Sequence, residues 1–396
     1  MERPEVIVVG SGISGSAAAR YLAEQGKQVE IWERRDHIGG NMHDCTDAHG
    51  CLIHLYGPHV FHTKKKWIYD YMHRFCAWRD FQASAGAVWD GKYTPTPFNF
   101  TTIDTFFPPE YGERLKEKLL RAFPDRSSAS VAEVMAHGDP DIRRYGRYLF
   151  ENDYAPYSSK QWGIPAEQLD PSVLGRVPVR FSYDASAFGG EYQMVADPSY
   201  DAFFRHLTDH PRIALRLGVD ARERLQVKDS RIWIDGRQEA DTIVVYTGAL
   251  DELFDHVYGA LPYRSLRFEW NYSEKDCFQP AVTVAYPQEE GYTRITDYKK
   301  FSSPEVCGSS YAVEYPMAYR QEEGMEPYYP VLTEESQQRY GRYQVLADRI
   351  PNLLYCGRLA DFKYYDMDQA LERALTVCRA HFPPVETERM EESTEK

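Results

Sequence analysis

Residues 5–15 read E-V-I-V-V-G-S-G-I-S-G, an apolar run that ends in a glycine-rich turn. The β-branched run at 5–9 predicts a buried strand, and S-A-A-A-R-Y-L-A-E-Q at 16–25 predicts a helix directly after the turn. A second strand is predicted at 28–33, Q-V-E-I-W-E. Two strands joined through a helix within about 30 residues form a parallel βαβ crossover, so this stretch predicts an α/β fold.

The turn carries the pattern G-x-G-x-x-G at Gly10, Gly12 and Gly15. In this pattern the first glycine permits the tight turn, the second lets the backbone approach a pyrophosphate, and the third lets helix and strand pack closely. Phosphates bind there because the free N–H groups and the dipole of a helix N-terminus favour negative charge. Glu33, about 20 residues further on, is placed to accept hydrogen bonds from ribose hydroxyls. The stretch therefore predicts a dinucleotide site.

The loop after the second strand reads R-R-D-H-I-G-G-N at 34–41. A basic residue followed by two glycines just after an acidic strand end is typical of FAD proteins rather than of NAD dehydrogenases. Gly39 and Gly40 would let the backbone come close to the pyrophosphate or the ring of the cofactor. The predicted cofactor is therefore FAD.

Composition excludes several classes of partner. The formal net charge of −14 disfavours nucleic acids and anionic membranes, which are polyanions. The seven cysteines are scattered without a C-x-x-C, which favours reduced thiols in a cytoplasmic protein over disulfides or zinc. His59 and His62 are three apart, but further metal ligands are not obvious nearby, so no metal site is predicted. An apolar run of the ~18 residues needed for a membrane helix is also missing, and so is a signal peptide.

The hydrophobic pattern changes along the chain and predicts three domains. Helical patterns fill 111–150, with caps at Ser130 and Asp139, and residues 176–194 and 264–315 favour antiparallel sheet. Further strands are predicted at 213–219, 231–246 and 352–357, and a last helix at Met367–His381. The predicted domains are a discontinuous Rossmann-like FAD-binding domain (1–82, 195–250 and 345–385), an inserted helical bundle with a mobile substrate loop (100–172), an antiparallel β-sheet domain (83–99, 173–194 and 251–344) and a frayed tail (386–396).

Many strings along the chain match one known family in order. They include V-G-S-G-I-S-G, H-I-G-G-N, H-L-Y-G-P-H-V-F-H-T (54–63), K-Q-W-G (160–163), R-V-P-V-R-F (176–181), Y-R-S-L-R-F-E (263–269), Y-T-R-I (292–295), E-P-Y-Y-P (326–330) and G-R-L-A-D-F-K-Y-Y-D-M (357–367). With these strings the chain resembles the bacterial UDP-galactopyranose mutases, flavoenzymes that interconvert UDP-galactopyranose and UDP-galactofuranose.

The resemblance implies an isomerase without net redox chemistry. In this chemistry nitrogen 5 of reduced FAD attacks the anomeric carbon, the nucleoside diphosphate leaves, and a covalent flavin–sugar adduct forms before the diphosphate returns. NADPH or NADH is the implied reductant. The resemblance further implies a homodimer that acts on a nucleotide sugar and serves polysaccharide biosynthesis.

The resemblance also implies roles for individual residues. Arg180 and Arg294 match the arginines that hold the diphosphate, and His62 matches the histidine beside the flavin. The other implied substrate contacts are Tyr157, Trp162, Tyr192, Tyr315, Tyr364 and Asp366. The implied cofactor contacts are Gly10, Gly12, Ser14, Gly15, Glu33, Arg34, Gly39, Gly40, Asn41, Tyr56, Gly57, His59, Val219, Thr247, Gly248, Gly357, Arg358, Asp366 and Met367.

Some positions around the sugar and the base depart from the family pattern, notably at 82–85, near Val284 and at 194–199. Lost hydrogen-bond partners change specificity more readily than chemistry. Two alternatives therefore stay open. One is the same mutase chemistry on another nucleotide sugar, such as an N-acetylated or 6-deoxy galactose. The other is an FAD oxidoreductase of the amine-oxidase type, which shares the N-terminal fold.

Overall fold

The computed structural model describes residues 4–168, 177–188, 191–302, 305–322 and 324–383. The predicted tail at 386–396 lies outside the described residues, and so do short parts of the predicted domains.

A five-stranded parallel sheet is built around the first strand, Val6–Val9. The strand order across this sheet is Ile213–Leu217, Val29–Glu33, Val6–Val9, Ile243–Tyr246, Leu353–Tyr355. In chain order this is 3-2-1-4-5, the arrangement of a Rossmann-like fold, and it confirms the predicted fold class. Such sheets bind ligands where the strand order reverses, at the carboxyl ends of the strands. The glycine turn at 10–15 lies at this position.

Helices cover both faces of the parallel sheet. Ile13–Glu24, Tyr200–Thr208 and Met367–His381 share one hydrophobic cluster with it, whereas Leu250–Leu253 and Glu334–Ala347 pack on a second cluster. The first helix begins at Ile13, three residues before the predicted start, because Gly12 serves as its N-cap. The last helix has the predicted bounds.

The second large sheet has seven strands in the order Tyr329–Pro330, Tyr263–Ser273, Ser309–Ala318, Arg294–Asp297, Thr283–Ala285, Ala85–Trp89, Lys92–Thr96. It is mixed rather than wholly antiparallel, because Thr283–Ala285 pairs in parallel with Ala85–Trp89. These two strands are far apart in sequence, so a hairpin does not fix their relative direction.

The helical part of the chain comprises Phe100–Phe106, Pro109–Ala122, Val131–Ala136, Pro140–Leu149 and Ala155–Trp162, with a π-helical turn at Phe150–Tyr154. Ser130 and Asp139 are helix N-caps, as predicted: Ser130 Oγ accepts from Glu133 N, and Asp139 Oδ1 accepts from Asp141 N. The side chains of Leu115, Leu119, Ile142 and Tyr145 bury the shared faces of these helices.

Smaller elements complete the fold. They are a three-stranded sheet (Phe61–Thr63, Tyr192–Asp197, Ala77–Asp80), a meander (Leu225–Lys228, Arg231–Ile234, Arg237–Glu239), two strand pairs (Asp44–Thr46 with Leu52–His54, Ser128–Ala129 with Val179–Arg180), the helices Lys66–His73 and Ala221–Arg224, and the 3-10 turns Gly40–Met42, Ala166–Gln168 and Tyr298–Phe301.

The single strand predicted at 231–246 is divided into three, Arg231–Ile234, Arg237–Glu239 and Ile243–Tyr246. The first division is a turn at Asp235 and Gly236, which have positive φ angles of 49° and 74°. No helix within the described residues is both long and apolar enough to cross a membrane.

Candidate active site

A cavity of about 240 Å³ opens at the carboxyl end of the central strand. Segments from distant parts of the chain line it: the glycine turn, the end of the second strand, the loop at 39–42, and residues near 220, 247, 327, 358 and 366. The predicted cofactor residues that line it are Gly10, Gly12, Ser14, Gly15, Glu33, Arg34, Gly39, Gly40, Asn41, His59, Val219, Thr247, Gly248, Gly357, Arg358, Asp366 and Met367. Tyr56 and Gly57 are not among the lining residues.

The glycine turn leaves room for a pyrophosphate. A Cβ atom at Gly15 would lie 2.0 Å from the carbonyl oxygen of Gly10, so strand and helix approach at a distance that only glycine permits. Gly12 caps the following helix without a side-chain hydrogen bond, which leaves the first N–H groups of the helix for a ligand. The donor set therefore fits a dinucleotide.

Glu33 lines the cavity at the end of the second strand and is only 5% exposed. Its Oε2 accepts hydrogen bonds from Ser11 N at 2.9 Å and from Ser11 Oγ at 2.7 Å. Its Oε1 accepts from the backbone N–H of Arg35 at 3.0 Å. These bonds hold the carboxylate in one orientation at the wall of the cavity.

An ion-pair cluster at the cavity wall was not predicted from the sequence. Glu326 lines the cavity, and its carboxylate contacts both Arg34 and Arg35, the latter at 2.7 Å. Burial alone would raise the pKa of Glu326, but hydrogen bonding and charge from Arg35 and Arg34 lower it below its usual value. Glu326 is therefore ionised and paired.

Arg294 carries a positive charge into the site on strand Arg294–Asp297. Its Nε donates to Glu314 Oε2 at 2.7 Å, and Thr296 Oγ1 donates to Glu314 Oε1 at 2.9 Å. Burial opposes the charge of Arg294, but Glu314 outweighs it and raises the pKa of the guanidinium. A Cβ at Gly57 would lie 3.7 Å from Arg294 Nη2, so this predicted cofactor position adjoins the arginine.

Two phenols, those of Tyr157 and Tyr329, interact electrostatically with this arginine, and Tyr329 belongs to a cluster of aromatic rings. The rings of Tyr329 and Tyr364 stack with centroids 5.1 Å apart, and the Trp162 ring meets them at 5.9 and 6.0 Å. Burial raises the pKa of Tyr157 to about 12, against the opposing charge of Arg294, so its phenol keeps its proton. These phenols are hydrogen-bond donors beside a fixed cation, a combination that suits an anionic ligand.

Arg358 connects the aromatic group to the cavity. Its guanidinium lies 5.1 Å from the Tyr364 ring centre and 5.4 Å from that of Tyr329. It donates to the carbonyl oxygen of Tyr365 at 2.7 Å. Burial and the charge of Arg358 lower the pKa of His59 to about 4, so this histidine is neutral near pH 7. Asp366 is the N-cap of the last helix, with its N–H bonded to Gln369 Oε1 at 3.1 Å.

Tyr329 belongs to this group but was not predicted as a contact, although it lies in the string E-P-Y-Y-P. Tyr315 was predicted and lies elsewhere. Side chains alternate across a strand, so Tyr315 projects from the face opposite that of its neighbour Glu314. There the Arg267 guanidinium covers its ring at 4.0 Å, and its hydroxyl donates to Glu269 at 3.3 Å.

Three other predicted residues have their described contacts outside the group around Arg294. Arg180 donates to Asp184 Oδ2 at 2.6 Å from the strand Val179–Arg180. The His62 ring stacks on Phe188 at 4.1 Å, and the Tyr192 ring lies 4.4 Å from that of Tyr69. The roles of Arg180, His62 and Tyr192 stay predictions.

Comparison with known proteins agrees with this arrangement. The model of the UDP-galactopyranose mutase family matches residues 153–364, and that of an NAD(P)-binding Rossmann-like domain matches residues 8–75. UDP-galactopyranose mutase of Mycoplasma pneumoniae is 33% identical over 94% of both chains. dTDP-fucopyranose mutase of Escherichia coli is 32% identical over 94% of this chain and 96% of its own. The chain belongs to the UDP-galactopyranose mutase family of isomerases.

Solved structures agree on the fold. A crystal structure of reduced UDP-galactopyranose mutase superposes with a TM-score of 0.73, at 16% identity, and covers 96% of this chain and 95% of its own. A probable polyamine oxidase of Arabidopsis thaliana is 52% identical to this chain, but over only 54 residues, which are 13% of this chain. The likeness in sequence to amine oxidases is therefore local, whereas the likeness to the mutases runs through the chain.

Proposed function

We propose that the protein is an FAD-dependent mutase that interconverts UDP-galactopyranose and UDP-galactofuranose. The observation that carries this proposal is the Arg294 guanidinium, which is charged, fixed by Glu314 and close to the phenols of Tyr157 and Tyr329 in a protein with a net charge of −14. An acidic protein that binds a diphosphate needs such local positive charge. Membership of the mutase family supports the same substrate class.

In this proposal Arg294 binds the diphosphate of the nucleotide sugar through its Nη groups, because Glu314 already occupies Nε. Tyr157, Tyr329 and Tyr364 donate hydrogen bonds to the same group. The diphosphate gains negative charge as its bond to the sugar breaks, so these contacts strengthen in the transition state. The residues therefore contribute to the rate as well as to binding.

FAD is the proposed cofactor, held by the glycine turn, by Glu33 and by the loop at 39–42. Bound reduced FAD supplies the nucleophile that lets a sugar ring rearrange without net oxidation. Around it the protein orients the sugar and excludes water from the reacting carbon. NADPH or NADH as reductant, a cytoplasmic homodimer and a product used for polysaccharide biosynthesis belong to the same proposal.

A second substrate is favoured by one observation, the 32% identity to a dTDP-fucopyranose mutase over nearly the whole chain. That relative is about as similar as the UDP-galactopyranose mutase relative is. Mutase chemistry on a 6-deoxy sugar with another base is therefore the alternative. An amine-oxidase function fits less well, because a cationic amine would be repelled by Arg294 and Arg358.

Product analysis on a panel of donors tests the proposal. Dithionite-reduced protein is incubated with UDP-galactopyranose, UDP-N-acetylgalactosamine and dTDP-fucopyranose, and furanose products are separated by chromatography. The proposal expects UDP-galactofuranose at the highest kcat/KM. A preference for dTDP-fucopyranose would select the alternative. Absence of any furanose product, together with reduction of the oxidised flavin by amines in a separate anaerobic assay, would refute mutase function.

A further inference from the structure

Two cavity-lining segments that are far apart in sequence are joined by Arg34, Arg35 and Glu326. Arg35 Nη2 lies 2.7 Å from Glu326 Oε2, and Arg34 contacts the same carboxylate. The side chains of Arg35 and Glu326 are only 13% and 19% exposed. Solvent ions screen such a pair much less than they screen a surface salt bridge.

Arg35 is also held from its other side. Its Nη2 donates to Asn41 Oδ1 at 2.8 Å, and its guanidinium lies 4.3 Å from the ring centre of Tyr56. Its Nη1 is buried without a hydrogen-bond partner among the described residues. A buried donor of this kind is costly unless a ligand or water satisfies it. Arg35 therefore belongs to the wall of the cavity and is held in place from two sides.

The residues that follow Glu326 reach the substrate end of the site. Tyr328 N donates to the carbonyl oxygen of Arg264 at 2.8 Å, and the carbonyl oxygen of Tyr328 accepts from Arg358 Nη1 at 3.3 Å. Tyr329 comes next and stacks on Tyr364. Glu326 is therefore an anchor additional to these backbone hydrogen bonds, and it lies three residues before Tyr329.

We propose that Arg34, Arg35 and Glu326 form a clasp that closes residues 324–330 over bound FAD and positions Tyr329 for substrate. The inference rests on the proposed function, because it requires FAD in the cavity. Because Glu326 lines the cavity, the clasp has to open before FAD can leave. The closed clasp therefore slows the exchange of the cofactor. Glu326 is thus a positioning residue, and its loss weakens substrate binding more than it slows the chemical step.

The test measures FAD release from the holoenzyme. Glu326→Gln removes the charge but keeps the shape of the side chain, and flavin fluorescence reports free FAD after dilution. We expect release to become about tenfold faster, which corresponds to about 1.4 kcal/mol of barrier. We also expect the KM for UDP-galactopyranose to rise severalfold while kcat changes little.

Glu322→Gln is the matched control, because Glu322 is exposed and its carboxylate lies 3.8 Å from Arg320. Its release rate should equal that of the wild type. Equal release rates for Glu326→Gln and the wild type would overturn the clasp and leave the proposed function intact. Faster release with an unchanged KM would refute the positioning of Tyr329.

A wild-type protein that takes up no FAD would instead refute the proposed function. If Glu326→Gln does not fold, Glu326→Asp serves in its place, because its shorter side chain retains the charge but cannot reach both arginines equally. Faster release is again expected, and an unchanged rate would overturn the clasp.

Discussion

Replacing Arg294 with alanine separates its role in catalysis from its role in stability. Arg294 is paired with Glu314, whose side chain is only 1% exposed, so the alanine variant leaves a buried carboxylate without its counterion. Removal of one partner from a buried pair costs about 3–5 kcal/mol of folding stability. We expect the lower end, about 3 kcal/mol, because the Arg294 side chain is 23% exposed and Thr296 still donates to Glu314. Replacing a residue that contacts only the substrate would leave the folding stability of the free protein unchanged.

The same variant should lose catalytic activity for a different reason. The lost hydrogen bonds to the leaving diphosphate are charge-assisted, and a loss of ~3 kcal/mol corresponds to about a hundredfold in rate. Arg294→Lys should restore little activity, because an ammonium group lacks the planar set of donors with which a guanidinium binds Glu314 and a phosphate together. Both kcat and kcat/KM are measured with reduced enzyme, and unfolding is followed in urea.

The double variant Arg294→Ala/Glu314→Gln distinguishes the two effects. Glutamine removes the buried charge, so much of the lost stability should return while activity stays low. Arg267→Ala is the matched control, since this arginine lies on the opposite face of the same sheet, over Tyr315. Near-normal turnover of Arg294→Ala, or recovery of turnover together with stability in the double variant, would refute the assignment.

Three further outcomes are expected. Gly15→Ala should yield protein without the yellow colour of bound FAD, because the new Cβ would lie 2.0 Å from the Gly10 carbonyl oxygen. The control variant Gly138→Ala should keep the flavin, because a Cβ there meets no atom within 4 Å. Equal absorbance spectra for the two variants would contradict this expectation. One equivalent of reductant should support many turnovers, and stoichiometric consumption of reductant would exclude a mutase. Burial lowers the pKa of His54 well below 6.5, so the unfolded state binds a proton that the folded state does not, and stability should fall by about 2 kcal/mol between about pH 7 and pH 5. His54→Gln should lack this part of the pH dependence in urea titrations, and an unchanged slope would show that His54 does not cause it.

The dinucleotide fold was predictable because its signals are local. Strand, turn, helix and strand follow one another within residues 6–33, and each glycine of the turn has a steric reason that applies wherever the motif occurs. The helix N-caps Ser130 and Asp139 were predictable for the same reason, because each bonds backbone N–H groups only two or three residues further on. The parallel pairing of Thr283–Ala285 with Ala85–Trp89 was missed because nothing within either segment records its distant neighbour.

The substrate end was predicted less completely because it depends on which face of a strand points inward. Tyr315 was implied as a substrate contact and Tyr329 was not, but only Tyr329 lies with Tyr364 and Arg358. Glu314 and Glu326 were not predicted as site residues, although Glu326 lies in the string E-P-Y-Y-P. A single acidic residue far in sequence from its arginine partner looks like an ordinary surface charge. Their importance follows from ion pairs that only the folded chain creates.

The positions that depart from the family pattern bear on the choice of sugar. Val284 is 1% exposed and in register with Ile295, whereas Ala285 is in register with Arg294. Because side chains alternate across a strand, Val284 projects from the face of the sheet opposite that of Arg294. Ser84 Oγ accepts from Val282 N at 3.1 Å, so it is engaged with the sheet. Neither Val284 nor the Ser84 hydroxyl therefore supplies a described hydrogen bond to a sugar beside Arg294. A site without such partners does not strongly reject a sugar that lacks a hydroxyl. The charge of Arg294 acts on the diphosphate, which is common to all nucleotide sugars. The site geometry therefore constrains the reaction more tightly than the sugar, and the relative activities on UDP-galactopyranose and dTDP-fucopyranose become the decisive measurement.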